Sequence, residues 1–387
     1  MHDVVVIGAG PAGSVAALEA ARNGFSVLLL EKERLPRYKL CGGAISKKTL
    51  RLLEDRGIVG SYGLRGVVES AITKIKITTP RCTRSHTGNE LLAIMTYRDK
   101  FDNHLTEKAV EAGVEVKDGV KVYEVMDKDG RCVARSNDGE YQASYIFGAD
   151  GINGPVRRNS GLIPDFPKDQ VGVAGEFELM HHGGYEADQH SMEFHYGIVP
   201  FGYGWVFPKG NALTVGVANL VSELRGMKLK EKLYEFADGL GLKELPKPGF
   251  HLIPIGGFKR RIASDRILLC GDAAGFVDMT AGEGTYYAIQ SGILAAEVLR
   301  EVHDGNGSLI PYQRRCEEVI IPNLRGSLKL ARWLYKHLDL FYYMVENEPG
   351  IMPLFPTIAG LDKPFEDIYR RVLLLGAKNY VKRLLRP

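Results

Sequence analysis

The hydrophobic pattern opens on a short unbroken apolar run, Val4-Val5-Val6-Ile7, followed at once by Gly8-Ala9-Gly10-Pro11-Ala12-Gly13 and an alanine-rich stretch to about Asn23. A second run, Ser26-Val27-Leu28-Leu29-Leu30, closes on Glu31. β-branched runs without polar alternation predict strands buried on both faces, as in a parallel sheet, with the alanines forming the helix between them. Ser46 suits the cap of a helix running to about Gly57. Further on the pattern changes: Ile75 and Ile77 alternate with Lys74 and Lys76, predicting half-exposed strands within residues 66–95. Residues 96–112 return to a helical period, with Phe101, Leu105 and Ala109 on one face, Arg98 on the polar side and Gly113 as the stop. Short strands follow at 114–117, 120–125 and 131–135, with Asp129-Gly130 and Asp138-Gly139 as hairpin turns. Residues 143–147 form another buried run, ending in Gly148-Ala149-Asp150-Gly151. From 171 to 217 the segments alternate and are rich in aromatics and glycine, which predicts the antiparallel sheet of a second domain. A helix at 229–240, a strand at 251–255 and a buried strand at 267–270 come next, then a long helix from Thr285 to about His303. Beyond about Ser308 the chain reads as mainly helical, interrupted by prolines.

Strand, glycine loop, helix, strand, acid is the order of a dinucleotide site. Gly8 permits the tight turn, Gly10 lets the backbone approach a pyrophosphate, and Gly13 lets the helix pack on the strand. The helix start offers unpaired N–H groups and a partial positive charge to the phosphates. Glu31 stands where an acid accepts hydrogen bonds from ribose hydroxyls. Gly8, Gly10, Ala12, Gly13, Glu31 and Lys32 are therefore the candidate cofactor contacts of this segment. The basic loop after it is either solvated or sets Arg37 or Lys39 beside the phosphates. Asp150-Gly151 puts a carboxylate at the carboxyl edge of a strand, where open α/β sheets bind ligands. Gly271-Asp272, followed by Gly282-Glu283-Gly284 at the start of a long helix, makes a second anion or dipole site. In Pro200-Phe201-Gly202-Tyr203-Gly204-Trp205-Val206-Phe207-Pro208, the rings of Tyr203, Trp205 and Phe207 share one strand face. Core packing and the wall of a roomy apolar pocket are equal readings of that stripe.

The chain has 387 residues, enough for two modest domains or one large one with an inserted sheet. A net charge of +3 is too weak to imply nucleic acid. Five cysteines, odd in number and without a CxxC pair, argue for free thiols in a reducing compartment and against a zinc site. The opening residues are not expected to be a secretory leader, and no run has the character of a spanning helix. The expectation is a cytoplasmic protein that at most rests on the inner face of the cell membrane.

The glycine loop with Glu31, Asp150-Gly151 and Gly271-Asp272 together resemble the FAD-dependent oxidoreductases of the glutathione-reductase-like class, in the branch shared with the aromatic hydroxylases. Cys41-Gly42-Gly43-Ala44 and Pro200-x-x-Tyr203-x-Trp205-x-Phe207-Pro208 narrow the resemblance to the geranylgeranyl reductase family. It implies an α/β fold: a Rossmann-like FAD-binding domain with an inserted antiparallel-sheet substrate domain and a C-terminal helical region. The corresponding boundaries are 1–65, 96–160 and 258–305 for the first, 66–95 and 161–257 for the second, and 306–387 for the last. It further implies FAD contacts at Cys41, Gly42, Arg98, Asp150, Gly271, Asp272, Gly282 and Gly284, with prenyl contacts at Tyr203, Trp205 and Phe207.

The implied reaction is saturation of isoprenoid double bonds in membrane lipids or prenyl diphosphates. An isolated alkene needs hydride and proton delivered together in a dry site, and Cys41 and Tyr203 are candidate proton sources alongside the flavin with bound water. Electrons would come from NAD(P)H, a ferredoxin or a deazaflavin; no second GxGxxG with flanking strands is visible. The C-terminal segment, with Ile368, Val372, Leu375 and Leu384 among Arg370, Arg371, Lys378, Lys382, Arg383 and Arg386, is either an interfacial helix or one docked with a solvated basic face. The alternatives on the same scaffold are a flavin monooxygenase or halogenase, and a non-catalytic prenyl-binding carrier.

Overall fold

The unbroken apolar runs become the centre of a sheet. In the computed structural model, which describes residues 2–60, 64–128, 130–255, 260–302, 307–360 and 363–384, strands His2–Ile7 and Val27–Glu31 pair in parallel and bury Val4 to Ile7 and Val27 to Leu30. Glu115–Asp118 extends the sheet in parallel on one side. On the other side Gly139–Gly148 pairs parallel to His2–Ile7. Its first half then takes Arg131–Ser136 as an antiparallel neighbour, while its last residues take Ile267–Leu269 in parallel. The carboxyl ends of four parallel strands thus converge at one edge, carrying Gly8, Glu31, Asp150 and Asp272 with them. Helix Pro11–Arg22 crosses between the first two strands and packs against helix Thr285–Glu301. Asp129, half of one expected hairpin turn, and His303 lie outside the described residues.

The second sheet has seven strands in the order Gly249–Pro254, Val171–Met180, Ala212–Leu220, Gly202–Lys209, Ser191–Tyr196, Lys74–Thr78 and Thr83–Thr87. It is antiparallel except at one joint, where Ser191–Tyr196 runs parallel to Lys74–Thr78. Alternation sets which face a strand buries but says nothing of its partner's direction, so the parallel joint departs from the expected all-antiparallel sheet. The remaining strands of the 66–95 stretch, Ser70–Ile72 and Ala93–Met95, do not join this sheet. In a small third sheet Ala93–Met95 pairs with Ser70–Ile72 on one side and with Ala44–Ser46 on the other, which anchors the Cys41-Gly42-Gly43 loop from its far end.

The C-terminal helices Ile321–Lys336, Leu338–Asn347, Leu354–Gly360 and Phe365–Leu384 cover the aromatic face of the second sheet. Phe365, Ile368 and Val372 are buried in that packing. The last helix is therefore docked through the stripe that the sequence left open; the side chains of Lys382, Arg383, Leu384 and Arg386 lie outside the described residues. Among the described residues no helix is long and apolar enough to cross a membrane.

Candidate active site

One continuous cavity of about 1170 Å³ starts at the carboxyl edge of the first sheet and runs into the second. Its first part is a polar cleft lined by Gly8, Gly10, Ala12, Glu31, Lys32, Arg98, Asp150 and Asp272. Gly13 and Gly271 do not face it; they shape the backbone behind it. Glu31 is buried and accepts the Ala9 N–H at 2.9 Å and the Glu33 N–H at 3.2 Å, which leaves lone pairs for a ligand. Arg37 braces this end rather than standing free for phosphates. Its guanidinium lies 3.2 Å from the Glu31 carboxylate and donates to Asp102 at 3.0 Å and to the Ala9 carbonyl at 3.1 Å. Lys39 donates to His251 at 2.8 Å. Burial and the Lys39 ammonium push the His251 imidazole down to about 4, so it accepts that bond as a neutral ring.

Asp150 caps the short Pro155–Asn159 helix, one carboxylate oxygen accepting the Val156 N–H at 2.8 Å. Its other oxygen is buried, has no partner and lies in the cleft wall. Burial pushes this carboxyl up to about 6, with the Val156 N–H opposing the shift. An orphaned acceptor of this kind calls for a hydroxyl-bearing ligand.

Midway along the cavity, Cys41 is held on several sides. Its backbone N–H faces the Glu176 carboxylate. Its carbonyl accepts the Lys209 ammonium at 3.2 Å, and the thiol sulfur accepts the Gly43 N–H at 3.5 Å. The thiol also faces the Arg98 guanidinium. Arg98 is fixed by a bidentate pair with Asp102, at 2.7 and 2.8 Å. Burial works against its charge, but the Asp102 carboxylate and Cys41 outweigh that and hold its pKa above the ordinary value. Beside Cys41, Gly42 gives room for the aromatic strand: a Cβ there would stand 2.9 Å from the Phe207 ring and 3.5 Å from Trp205 Nε1. That indole N–H is itself buried without a partner.

Glu176 gives the site a pH dependence. Burial raises its carboxyl from 4.5 to about 7, opposed by the Lys209 ammonium and the Cys41 N–H, while Glu178 adds to the rise and Lys39 opposes it. A carboxyl with a higher pKa folded than unfolded binds its proton more tightly in the native state. Stability is therefore lost as pH rises through this window, and the loss is complete above about 7. Glu176→Gln carries no proton to lose. Thermal melts of flavin-free protein at about pH 5 and about pH 8 should show the variant losing less stability than the parent, by on the order of 2 kcal/mol.

Beyond Cys41 the cavity widens into an apolar chamber. Tyr203, Trp205 and Phe207 form one wall, extended across the strand pair by Tyr196 opposite Tyr203 and Phe194 opposite Trp205. Leu330, Leu334, Phe341, Ile358, Ile368 and Val372, from the C-terminal helices, form the other. The stripe is pocket wall as well as core. Tyr203 donates its hydroxyl to the Ala281 carbonyl at 2.9 Å, and desolvation inside the cavity wall pushes the phenol well above its ordinary pKa. That proton is committed to the backbone, so the geometry ties Tyr203 to the Gly282-Glu283-Gly284 loop.

Sequence reasoning did not find Glu176, Lys209 or the chamber's second wall. Met192, Phe194 and Tyr196 alternate as visibly as the three aromatics it did single out. Asp102 stands four residues after Arg98, a spacing that predicts their pairing on one helix face.

Residues 1–183 match the model of the FAD binding domain family. The chain is 34% identical over 369 residues to digeranylgeranylglycerophospholipid reductase 1 of Methanopyrus kandleri, covering 89% of this chain and 95% of the relative. It is 31% identical over 354 residues to digeranylgeranylglycerophospholipid reductase 2 of Methanothermobacter thermautotrophicus, covering 86% and 88%. Among solved structures, a geranylgeranyl bacteriochlorophyll reductase-like protein from Thermoplasma acidophilum superposes with a TM-score of 0.80 at 24% identity, covering 97% of this chain and 99% of that one. A flavin-dependent brominase shares the fold at a TM-score of 0.72 and 19% identity, over 99% of both chains. The chain binds FAD. The cleft suits it: Glu31 and the Gly10 turn for the adenosine and pyrophosphate, and the orphaned Asp150 oxygen for a hydroxyl.

Proposed function

This chain belongs to the geranylgeranyl reductase family of FAD-dependent oxidoreductases, and on that premise we propose that it saturates isolated double bonds of geranylgeranyl chains in archaeal-type membrane lipids or prenyl diphosphates. The observation that carries this reading is the continuity of the cavity, whose cofactor cleft opens directly into a chamber walled by aromatic and aliphatic side chains. When reduced, bound FAD supplies a hydride equivalent. The chain's own residues do the rest. Trp205, Phe207, Leu334 and Ile368 take the hydrocarbon out of water, at about 25 cal/mol per Å² of apolar surface buried. Binding of this kind discriminates weakly between chains differing by one double bond, so successive reductions follow. The thiol of Cys41, with its carbonyl held by Lys209 and its sulfur by the Gly43 N–H, gives its proton to the alkene carbon that does not receive the hydride. Tyr203 holds the loop at Ala281 instead. The electron donor to FAD is a nicotinamide, a ferredoxin or a deazaflavin.

The test is anaerobic. Protein reduced with one equivalent of dithionite should regain its oxidised flavin absorbance when a geranylgeranyl lipid is added, and should stay bleached with the fully saturated lipid. Equal behaviour with both lipids contradicts the reading.

The substrate class also calls for contact with a bilayer surface. Ile368, Val372 and Leu375 lie on the docked side of helix Phe365–Leu384, and at 3.6 residues per turn Leu374 and Val381 fall on the opposite side, flanked by Arg370, Arg371 and Lys378. Leu374 is 72% exposed and Val381 53%. Exposed apolar residues among cations suit an anionic lipid surface. Replacing both by Asp should weaken flotation with anionic vesicles by about tenfold or more while leaving flavin content unchanged.

A further inference from the structure

Behind the reacting end of the cavity lies a group of buried charges that the proposed reaction leaves idle. Lys48, in the first turn of helix Lys47–Asp55, is 5% exposed and ion-paired to Glu283. The second carboxylate oxygen of Glu283 accepts the Ser46 hydroxyl and, at 3.2 Å, the Thr49 hydroxyl. Asp278 is wholly buried; one oxygen accepts the Ala281 N–H at 2.8 Å and the Ser327 hydroxyl at 3.1 Å, and the other has no partner. The Lys48 ammonium also stands 5.0 and 5.3 Å from the ring centroids of Tyr286 and Tyr287. Burial raises the carboxyl of Asp278, which Lys48 opposes and Glu283 reinforces. Burial also raises the phenols of both tyrosines.

Two facts place this cluster where the flavin ring of a bound FAD would lie, rather than in a mere structural joint. Glu283, Ser46 and Asp278 line the cavity, at the end where the polar cleft meets Tyr203 and Ala281. A cofactor with its adenosine half held at Glu31 and Gly10 would extend away from them toward this end. A buried ion pair is also a poor way merely to join two segments, since apolar residues of similar volume hold as well or better. Charges kept in a dry wall act on what lies against it.

We propose that Glu283 and Lys48 are positioning residues that set the reduction potential of the bound flavin. Reduction adds two electrons and either one or two protons to the ring; when one proton follows, the ring gains a unit of negative charge. The Glu283 carboxylate, which faces the cavity, opposes that charge, and the Lys48 ammonium behind it favours it. The inference needs FAD but no particular alkene, so it stands or falls separately from the substrate reading.

The experiment is a redox titration of the holoenzyme against a reference dye, without prenyl lipid, with FAD affinity measured in parallel by flavin fluorescence. Glu283→Gln leaves the ammonium unopposed and should raise the potential. Lys48→Met leaves the carboxylate unopposed and should lower it. The exchanged pair, Lys48→Glu with Glu283→Lys, keeps a buried ion pair but turns the cation toward the cavity, so it should raise the potential. This variant decides the matter if a single variant fails to fold. Shifts of the same sign in the two single variants overturn the proposal, as does an unchanged or lowered potential in the exchanged pair.

Discussion

Gly13→Val should yield protein that purifies without yellow colour, its affinity for FAD reduced by more than about 100-fold. A Cβ at Gly13 would stand 1.9 Å from the Gly8 carbonyl oxygen and 3.1 Å from Ala149 Cβ. Neither neighbour is the far end of a flexible side chain. The helix must move off the strand or the Gly8 turn must deform, and Gly8 already occupies φ +105°, with Ala149 O 2.4 Å from where its own Cβ would be. Both movements displace the N–H groups that a pyrophosphate would meet. Gly239→Ala, at a helix end where a Cβ meets nothing within 4 Å, is the matching control and should keep its flavin. Absorbance at the flavin maximum per mole of purified protein reads the difference. Flavin retained by the Gly13 variant at the control's level would mean that the cofactor does not lie against this turn.

Leu334→Asp should do the reverse: flavin content unchanged, and turnover of a geranylgeranyl lipid lowered on the order of 100-fold. Leu334 is buried on helix Ile321–Lys336 and faces the chamber. A carboxylate there brings water with it, and a prenyl chain must strip that water or leave the charge uncompensated, a cost of about 3 kcal/mol. Leu334→Met keeps the volume and apolar character and should stay within severalfold of the parent. Rates and flavin spectra measured side by side separate the two halves of the cavity. If the Asp variant turned over the lipid normally, the C-terminal helices would not be part of the substrate's wall.

The extent to which the sequence revealed this arrangement follows the range of the interactions involved. Residues 3–31 could be read almost entirely, because strand, turn and helix there are fixed by neighbours a few residues apart. Asp150 and Asp272 were legible for the same reason: each ends a buried run at a strand's carboxyl edge. The alternation of Tyr203, Trp205 and Phe207 revealed a face but not what faces it, since period carries no partner. The grip of Glu176 and Lys209 on Cys41 joins residues more than a hundred positions apart, and no local pattern marks either one. The parallel joint between Ser191–Tyr196 and Lys74–Thr78 was hidden in the same way. The last helix was the opposite case. Its buried stripe of Ile368, Val372 and Leu375 was visible, but whether a protein or a lipid covers such a stripe depends on the four-helix packing around it.

The Glu283 clamp had a partial signal. Gly282-Glu283-Gly284 reads as a glycine-lined helix start, which explains the glycines and leaves the acid between them without a role. Only the fold brings Ser46, Lys48 and Thr49 to it, from the strand end and helix that follow the Cys41 loop. The two loops that close on the reacting end of the cavity are thus tied to each other by charge, and to the aromatic strand by the Tyr203 hydroxyl.

The central claim is that cofactor cleft and apolar chamber form one site for reducing a prenyl chain. The most direct measurement is mass spectrometry of a geranylgeranyl lipid incubated without oxygen with the purified, FAD-loaded protein and excess dithionite. The account predicts products heavier by the mass of two hydrogen atoms for each double bond saturated, appearing in steps along the chain and far more slowly with Leu334→Asp. A lipid of unchanged mass, recovered from protein that demonstrably holds reduced flavin and binds the lipid, would contradict it.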